Sequence, residues 1–475
     1  MGKLLNSMRA GRDERFARLH GVLPFLAMGC ARCWVALTVA APVAGPYESP
    51  AGMIDFHNVF DYAFCLTALV VALAARRLVP LNGTTRFRNL AFAGLAGSSL
   101  CFVAAHVFGL GSSTPLAVAG SALGGFGFAL FLLLAAEVIS ALPLLRIFLF
   151  STLSQLAAAG LTFFLSGLDE PRMLVAVLLL PVAARIAVAR AYAGLPDQDK
   201  VARPCTKFTY PWKIFVLMAL YSFAYGLRQS QLVAGAGQHT GASTAIMMGV
   251  LFLSAYFFSD RFNIGTLYRS PLVLIICGFL LIPAEGIFGN VVSSYLIAMS
   301  YSLTSLLVAL LFYDISKRLG VTIVVFSGIK NAEQIFVVMG KGASNALDSV
   351  GLTSGAQDIV IAVLVAVMML VATLILLSER ELASKWGVRI LDVGGLVERT
   401  PEEERRDERV EALASRARLT PRETEIVALV AQGRNGPAIM AELFIAEGTL
   451  KAHMSHIYEK CGVANRRELK ELLEG

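Results

Sequence analysis

Residues 419–473 read LTPRETEIVALVAQGRNGPAIMAELFIAEGTLKAHMSHIYEKCGVANRRELKELL, and this stretch decides the fold of the C-terminal end. Thr420 can cap a helix, Pro421 suits its first position, and Glu423 faces back to the cap. Ile426, Val427, Leu429 and Val430 give that helix an apolar face, and Gly433 ends it. Asn435-Gly436-Pro437 starts a second short helix with Ile439, Met440 and Leu443 turned inward. A third helix begins near Glu447 and runs to Lys460, where Leu450, Met454, Ile457, Tyr458 and Cys461 recur at helical spacing and pack. That leaves Lys451, Ala452, Ser455 and Lys460 outward, with Thr449 and His453 near the leading surface. Gly462 terminates it, and 466–472 forms a short fourth helix. Two helices joined by a tight turn, the second polar and basic near its start, can enter the major groove of double-stranded DNA.

The residues also match a family pattern. Leu419-Thr420-x-Arg422-Glu423-x-Glu425, Gly433, Ile439, Leu443, Ile445, Gly448-Thr449-Leu450-Lys451-x-His453, Ile457-Tyr458-x-Lys460-x-Gly462-Val463 and Glu468-Leu469 resemble the LuxR-type helix-turn-helix. The resemblance implies DNA contact through Thr449, Lys451 and His453, with Ser455 on the same surface and Lys460 near the phosphates. Three departures stand out. Ala446 replaces the usual Ser before the recognition helix, forfeiting a cap worth about 1 kcal/mol. Gly436-Pro437-Ala438 replaces Asn-Lys-Glu. Residues 419–475 hold 7 Lys/Arg against 8 Asp/Glu, so the module is not basic. Phosphate neutralisation supplies much of DNA affinity. The isolated module is therefore expected to bind weakly and to act as a homodimer on DNA.

Working outward, the rest of the chain changes character. Of 475 residues 56% are hydrophobic and only 16% charged, which describes an integral membrane protein in a lipid bilayer. The basic excess lies in residues 1–378, with 25 Lys/Arg against 16 Asp/Glu. Twelve apolar segments have spanning length or nearly so: 21–43, 54–75, 89–110, 115–137, 144–167, 172–192, 213–235, 241–259, 268–288, 290–312, 320–341 and 356–378. With the N-terminus inside, the inner flanks gather Lys3, Arg9, Arg12, Arg15, Arg18, Arg76, Arg77, Arg86, Arg88 and Arg146. Further along they gather Arg190, Lys200, Arg203, Lys207, Lys213, Arg261, Arg269, Lys317 and Arg318. The outer loops hold only Arg172 and Lys341. That asymmetry predicts a multi-pass protein of the cytoplasmic (inner) membrane with both termini cytoplasmic.

The polar, proline-bearing loop 194–212 divides the spans into halves 21–192 and 213–378. Two six-helix halves of parallel topology resemble the major facilitator superfamily of transporters. The family's Gly-x-x-x-Asp-Arg/Lys loop is degenerate here. The loop 76–83 has no Asp, and the second half offers only Ser259-Asp260-Arg261 and Gly265. Residues 1–20 form a basic N-terminus, and 379–418 a charged linker in which Thr400-Pro401-Glu402 is a helix-start signal and the mixed charge suggests a solvated helix or a disordered linker. The expected fold class is all-α: about twelve transmembrane helices followed by a four-helix helix-turn-helix domain at 419–475.

Ionisable residues at membrane depth mark function. The major-facilitator resemblance implies that Arg32 in the first span and Arg228 in the seventh, with Tyr221 and Tyr225 nearby, face a central cavity and contact a small aromatic or anionic ligand. Lys330 and Glu333, three apart in the eleventh span, are further ligand candidates and can pair with each other. Asp61 and His57 read as interfacial, His106 as a packing residue, and Cys30-x-x-Cys33 as apolar helix filling. No nucleotide loop, metal cluster or nucleophile–base spacing is present in the sequence, so no catalytic centre and no cofactor are expected. The predicted function is a one-component transcription regulator that senses a small molecule through its membrane domain. A transporter carrying a regulatory DNA-binding domain is the alternative.

Overall fold

The computed structural model describes residues 26 and 28–40, 56–110, 115–195, 210–233, 239–257, 267–284, 291–348 and 354–376. It also describes 406–474 apart from 407, 408, 411, 412, 415 and 444. The basic N-terminus, most of the central loop, the 259–265 motif, Glu285 and most of the linker lie outside the described residues, as do the side chains of His57, Gln229 and Gln231. Every regular element among the described residues is helical, and the chain forms two compact units, Met1–Val397 and Glu398–Gly475.

Each of the twelve predicted segments carries a helix. The first half holds α1 (Gly29–Val35), α2 (Phe56–Leu73), α3 (Thr85–Val107), α4 (Pro115–Ser140), α5 (Leu144–Ser166) and α6 (Glu170–Ala193). The second holds α7 (Trp212–Val233), α8 (His239–Phe257), α9 (Ser270–Leu281), α10 (Val291–Leu319), α11 (Ile323–Ala332), α12 (Gln334–Asp348) and α13 (Ser354–Leu376). By length and hydropathy, α3 to α6, α10 and the α11–α12 pair each suffice to cross a bilayer. The helix α2 joins a short following helix at a 71° bend.

Two helices are irregular at informative places. The helix α1 continues as a π-helical turn, Ala36–Ala40. The eleventh span breaks at Glu333, where Glu333 N–H donates to Lys330 O and Phe336 N–H donates to Glu333 O, three-residue bonds instead of the four-residue ladder. Such breaks in a membrane helix are tolerated where the backbone lines protein or a cavity.

The halves meet where α2 and α4 pack on α11 and α12, and where α5 packs on α8 and α10. The α2–α11 approach depends on Gly328, because a Cβ there would lie 2.7 Å from Ala68 O. The outer face of α13 leaves Val360, Val363, Leu364, Val367 and Val371 exposed, which suits lipid and not water.

The second unit contains α14 (Pro421–Ala431), α15 (Gly436–Leu443), α16 (Glu447–Cys461) and α17 (Arg466–Glu474). Ile426, Val427, Val430, Ile439, Ile457 and Leu469 are fully buried in one core. Each contributes about 1.5–3 kcal/mol by leaving water. Val410 and Leu413, which the sequence reading assigns to the solvated linker, are buried in the same core. The physical reason is spacing: they stand three residues apart on one helical face of an otherwise charged stretch.

A candidate DNA-reading face and a candidate ligand site

The reading face is built by capping. Thr420 and Glu423 close a reciprocal box: Glu423 N–H donates to Thr420 Oγ1 at 3.3 Å, and Thr420 N–H donates to Glu423 Oε2 at 2.7 Å. Asn435 Oδ1 accepts from Ala438 N–H at 3.0 Å and starts α15. Arg422 Nη2 donates to Leu443 O at 2.6 Å, tying α14 to the end of α15. The N-cap of α16 is Ala446, extended at φ −73° and ψ 159°, with no side-chain hydrogen bond, as the sequence implies. Gly462 at φ 69° takes the left-handed turn that ends α16.

On α16, Leu450 and Ile457 point into the core. Thr449, Lys451, Ser455 and Lys460 are exposed and His453 is half-buried, so the five predicted DNA-contacting residues share one helix and all reach its surface. The two lysines are already engaged. Lys451 Nζ pairs with Glu447 at 2.8 Å, and Lys460 Nζ donates to the buried Glu423 carboxylate at 2.6 Å. Burial pushes the Glu423 carboxyl up, but the hydrogen bonds from Lys460 and Thr420 outweigh it and hold it at about 2. Hydrogen bonding with Lys451 likewise holds Glu447 below the usual carboxylate range and raises Lys451.

In the membrane unit, the structure gathers four of the six predicted ligand residues. Arg32 on α1 is exposed. It forms no hydrogen bond or ion pair among the described residues, and Tyr301, Tyr313 and Lys330 lie within its electrostatic reach. The expected direct pairing of Lys330 with Glu333 gives way to separate partners. Lys330 Nζ donates to Ser305 Oγ on α10 at 2.9 Å, while Glu333 accepts from the Ser222 hydroxyl on α7. The break at Glu333 turns the two side chains toward different neighbours, though each still feels the other's charge. Tyr225 stacks on Tyr301 with ring centroids 4.5 Å apart and planes within 7°, and Tyr301 OH donates to Gln334 Oε1 at 3.1 Å.

Tyr221 is buried one turn from Tyr225 in the apolar core of the second half. Arg228, one turn beyond Tyr225 in the other direction, is buried and donates to Ser293 Oγ on α10 at 3.4 Å. No contact brings it to Arg32 among the described residues. Ser222, Tyr301, Ser305 and Gln334 are the members that sequence reading missed. Hydroxyls and amides in apolar runs carry no signal until a charged neighbour is seen to need them.

Three further expectations change. Lys341, expected in an outer loop, lies within α12, and its Nζ sits 3.7 Å from Asp61 Oδ2 on α2, a cross-half pair. Asp61 is correspondingly buried. His106 at the end of α3 bonds Glu170 at the start of α6 and is not a simple packing residue. The acid missing from the loop after α2 has a counterpart on α4. Glu137 accepts from Leu81 N–H at 2.9 Å, Asn82 N–H at 2.7 Å and Asn82 Nδ2 at 2.9 Å.

With the geometry in place, residues 417–473 match the family described as "Bacterial regulatory proteins, luxR family". The same region is 46% identical over 48 residues to a Mycobacterium tuberculosis protein named "Probable transcriptional regulatory protein NarL", covering 10% of this chain and 22% of that protein. It is 44% identical over 55 residues to a protein of Aeromonas salmonicida described as an HTH-type transcriptional regulator, covering 12% of this chain and 28% of that one. The chain thus spans between a fifth and a third of these curated relatives. The membrane unit resembles the major facilitator superfamily proton:xylose symporter XylE bound to 6-bromo-6-deoxy-D-glucose. The TM-score is 0.53 and identity 12%, over 77% of this chain and 97% of that one. The chain therefore joins a multi-pass membrane unit of major facilitator fold to a C-terminal LuxR-type helix-turn-helix.

Proposed function

We propose that this protein is a membrane-bound, one-component transcription regulator of bacterial type. A small molecule binds inside the membrane unit and biases its conformations, and the linker transmits that bias to the DNA-reading domain. The ligand must bind the two conformations with different affinity for this to work. The observation that carries the reading is a LuxR-type reading helix, with its surface residues in place, on the same chain as a major facilitator fold. The charge asymmetry of the loops supports a cytoplasmic membrane location with both termini inside, which delivers the reading domain to DNA. The domain acts as a homodimer, because each copy carries a near-neutral surface with both recognition-helix lysines engaged. Thr449, Lys451, His453 and Ser455 face the groove, and Lys460 lies beside the phosphates.

The test is transcription. Promoters recovered by crosslinking the full-length protein to chromosomal DNA are fused to a reporter. Combined Thr449→Ala, Lys451→Ala and His453→Ala substitutions are expected to abolish its regulation without removing the protein from the membrane. Unchanged reporter output would overturn the proposal. The fold likeness to a symporter also supports a transporter reading, and ligand accumulation in proteoliposomes would favour it.

A further inference from the structure

Two arginines cross between α3 and α6 at one end of the first half. Arg88 on α3 lies over the Tyr192 ring of α6, its Cζ 5.7 Å from the ring centroid. Arg185 on α6 lies over the Phe92 ring of α3, also at 5.7 Å, and its Nη2 donates to Asn89 Oδ1 at 2.9 Å. Both arginines line one shallow recess between α3, α4 and α6, floored by Phe131 and Pro181. Arg88 Nη1 also reaches Asn82 O at 3.5 Å, in the loop that Glu137 holds. Glu137 is spent on that loop, where it accepts from two backbone N–H groups and the Asn82 amide. Among the described residues neither Arg88 nor Arg185 meets a carboxylate. Arg76, Arg77, Arg86 and Arg190 stand exposed at the same end, so the surroundings add positive charge.

Arg185 also interrupts an apolar surface. On α6, Val175, Leu179, Val182 and Ile186 are exposed at helical spacing, a stripe that suits acyl chains. Arg185 is exposed beside Ile186, about two turns before α6 ends at Ala193. A cation on a lipid-facing surface at that depth is costly unless its head reaches the headgroup layer and an anion. We infer that Arg88 and Arg185 together hold the phosphate of an anionic membrane phospholipid, whose acyl chains lie along the exposed stripe of α6. The aromatic rings cover the faces of the two guanidinium groups and leave their N–H edges for phosphate oxygens. A basic recess between membrane helices is the setting in which such headgroups bind. A zwitterionic headgroup would bring a further cation into a cluster that is already all positive, and free phosphate would leave the apolar stripe unused. Every residue of the site belongs to the first half of the membrane unit, on its outer surface.

The test is lipid retention by the full-length protein. It is reconstituted in nanodiscs of phosphatidylcholine alone or of phosphatidylcholine mixed with phosphatidylglycerol, then released into mild detergent. Native mass spectrometry identifies the phospholipid that stays bound, and a titration with phosphatidylglycerol gives its affinity. Phosphatidylglycerol should be retained over phosphatidylcholine in a saturable way. Arg88→Gln and Arg185→Gln should each weaken it roughly fivefold, and the double variant about thirtyfold, since each arginine near the surface contributes one such factor. Arg77→Gln with Arg86→Gln removes two exposed cations from the same end and should leave retention nearly unchanged. An equal loss in that control would reduce the effect to general attraction and overturn the inference. No preference for phosphatidylglycerol in the parent protein would overturn it too. So would release of the bound lipid by inorganic phosphate as readily as by added phosphatidylglycerol, because the stripe on α6 would then contribute nothing. Should the double variant fail to fold, the single variants are read in its place, and the comparison of the two lipids in the parent protein stands by itself.

Discussion

The two units place their cations in opposite situations. On α16 the lysines face water, and each already holds a carboxylate: Lys451 with Glu447, Lys460 with Glu423. In the membrane unit Arg32 is exposed and holds none among the described residues. In water an unpaired lysine costs little, and an exposed ion pair gains little. Within the bundle the medium is less polarisable, so a missing counter-charge is felt strongly. An anion that approaches the reading helix must compete with acids already in place.

The largest expected effect tests the interior side. Glu333→Leu removes the acid that offsets Lys330 and Arg32 and orphans the Ser222 hydroxyl. Breaking a buried charge balance costs about 3 kcal/mol or more. Detergent-solubilised protein should therefore unfold several degrees lower. An unfolding midpoint equal to that of the parent would break the contrast between the regions.

A smaller effect tests the pair on the reading unit that is least like its exposed neighbour. Glu423 is buried, caps α14 and binds Lys460, and its carboxyl sits at about 2 against an ordinary value of 4.5. A depressed carboxylate stabilises the fold fully above its ordinary value, and that contribution is lost as pH falls from 4.5 toward 2. Acid titration of a 398–475 fragment, followed by helical circular dichroism, should lose stability through that window. Glu423→Gln should cost about 2 kcal/mol at neutral pH, the value of a charge-assisted hydrogen bond, and should flatten the acid limb. Equal acid sensitivity in the two proteins would remove Glu423 from the account.

What the sequence disclosed follows the same division. The reading unit was legible nearly residue by residue, because caps, helix stops and a heptad-like apolar spacing are local signals. Thr420, Asn435, Gly433 and Gly462 all act where the sequence places them. Val410 and Leu413 escaped because two apolar residues in a charged run make a weak pattern. The membrane helices were legible as segments, since apolar length is also local. Their partnerships were not. That Lys330 reaches Ser305, Glu333 reaches Ser222 and Lys341 reaches Asp61 depends on how α2, α7, α10 and α11–α12 come together. Arg228 and Arg32 were both recognisable as cations in apolar segments, but only packing shows Arg228 buried against Ser293 and Arg32 exposed.

The smallest effect sharpens the comparison from the exposed side. Glu447 holds Lys451 at 2.8 Å on the proposed DNA-reading surface, and both groups are solvent-exposed. Glu447→Gln removes a negative charge beside the phosphates and frees Lys451 for them. The same change removes an acid from the first turn of α16, where it complements the helix dipole and where Ala446 supplies no cap, so the helix loses slightly in stability. The lost pair and the lost first-turn acid both lower folding stability slightly, while the freed Lys451 raises binding. DNA affinity should rise roughly threefold at low salt, with a salt dependence steeper by about one phosphate contact. Fluorescence anisotropy on an operator fragment across a salt series would measure both. If affinity falls and the salt slope stays fixed, Lys451 is not waiting on Glu447, and the lysines of α16 are held for the fold instead of for DNA.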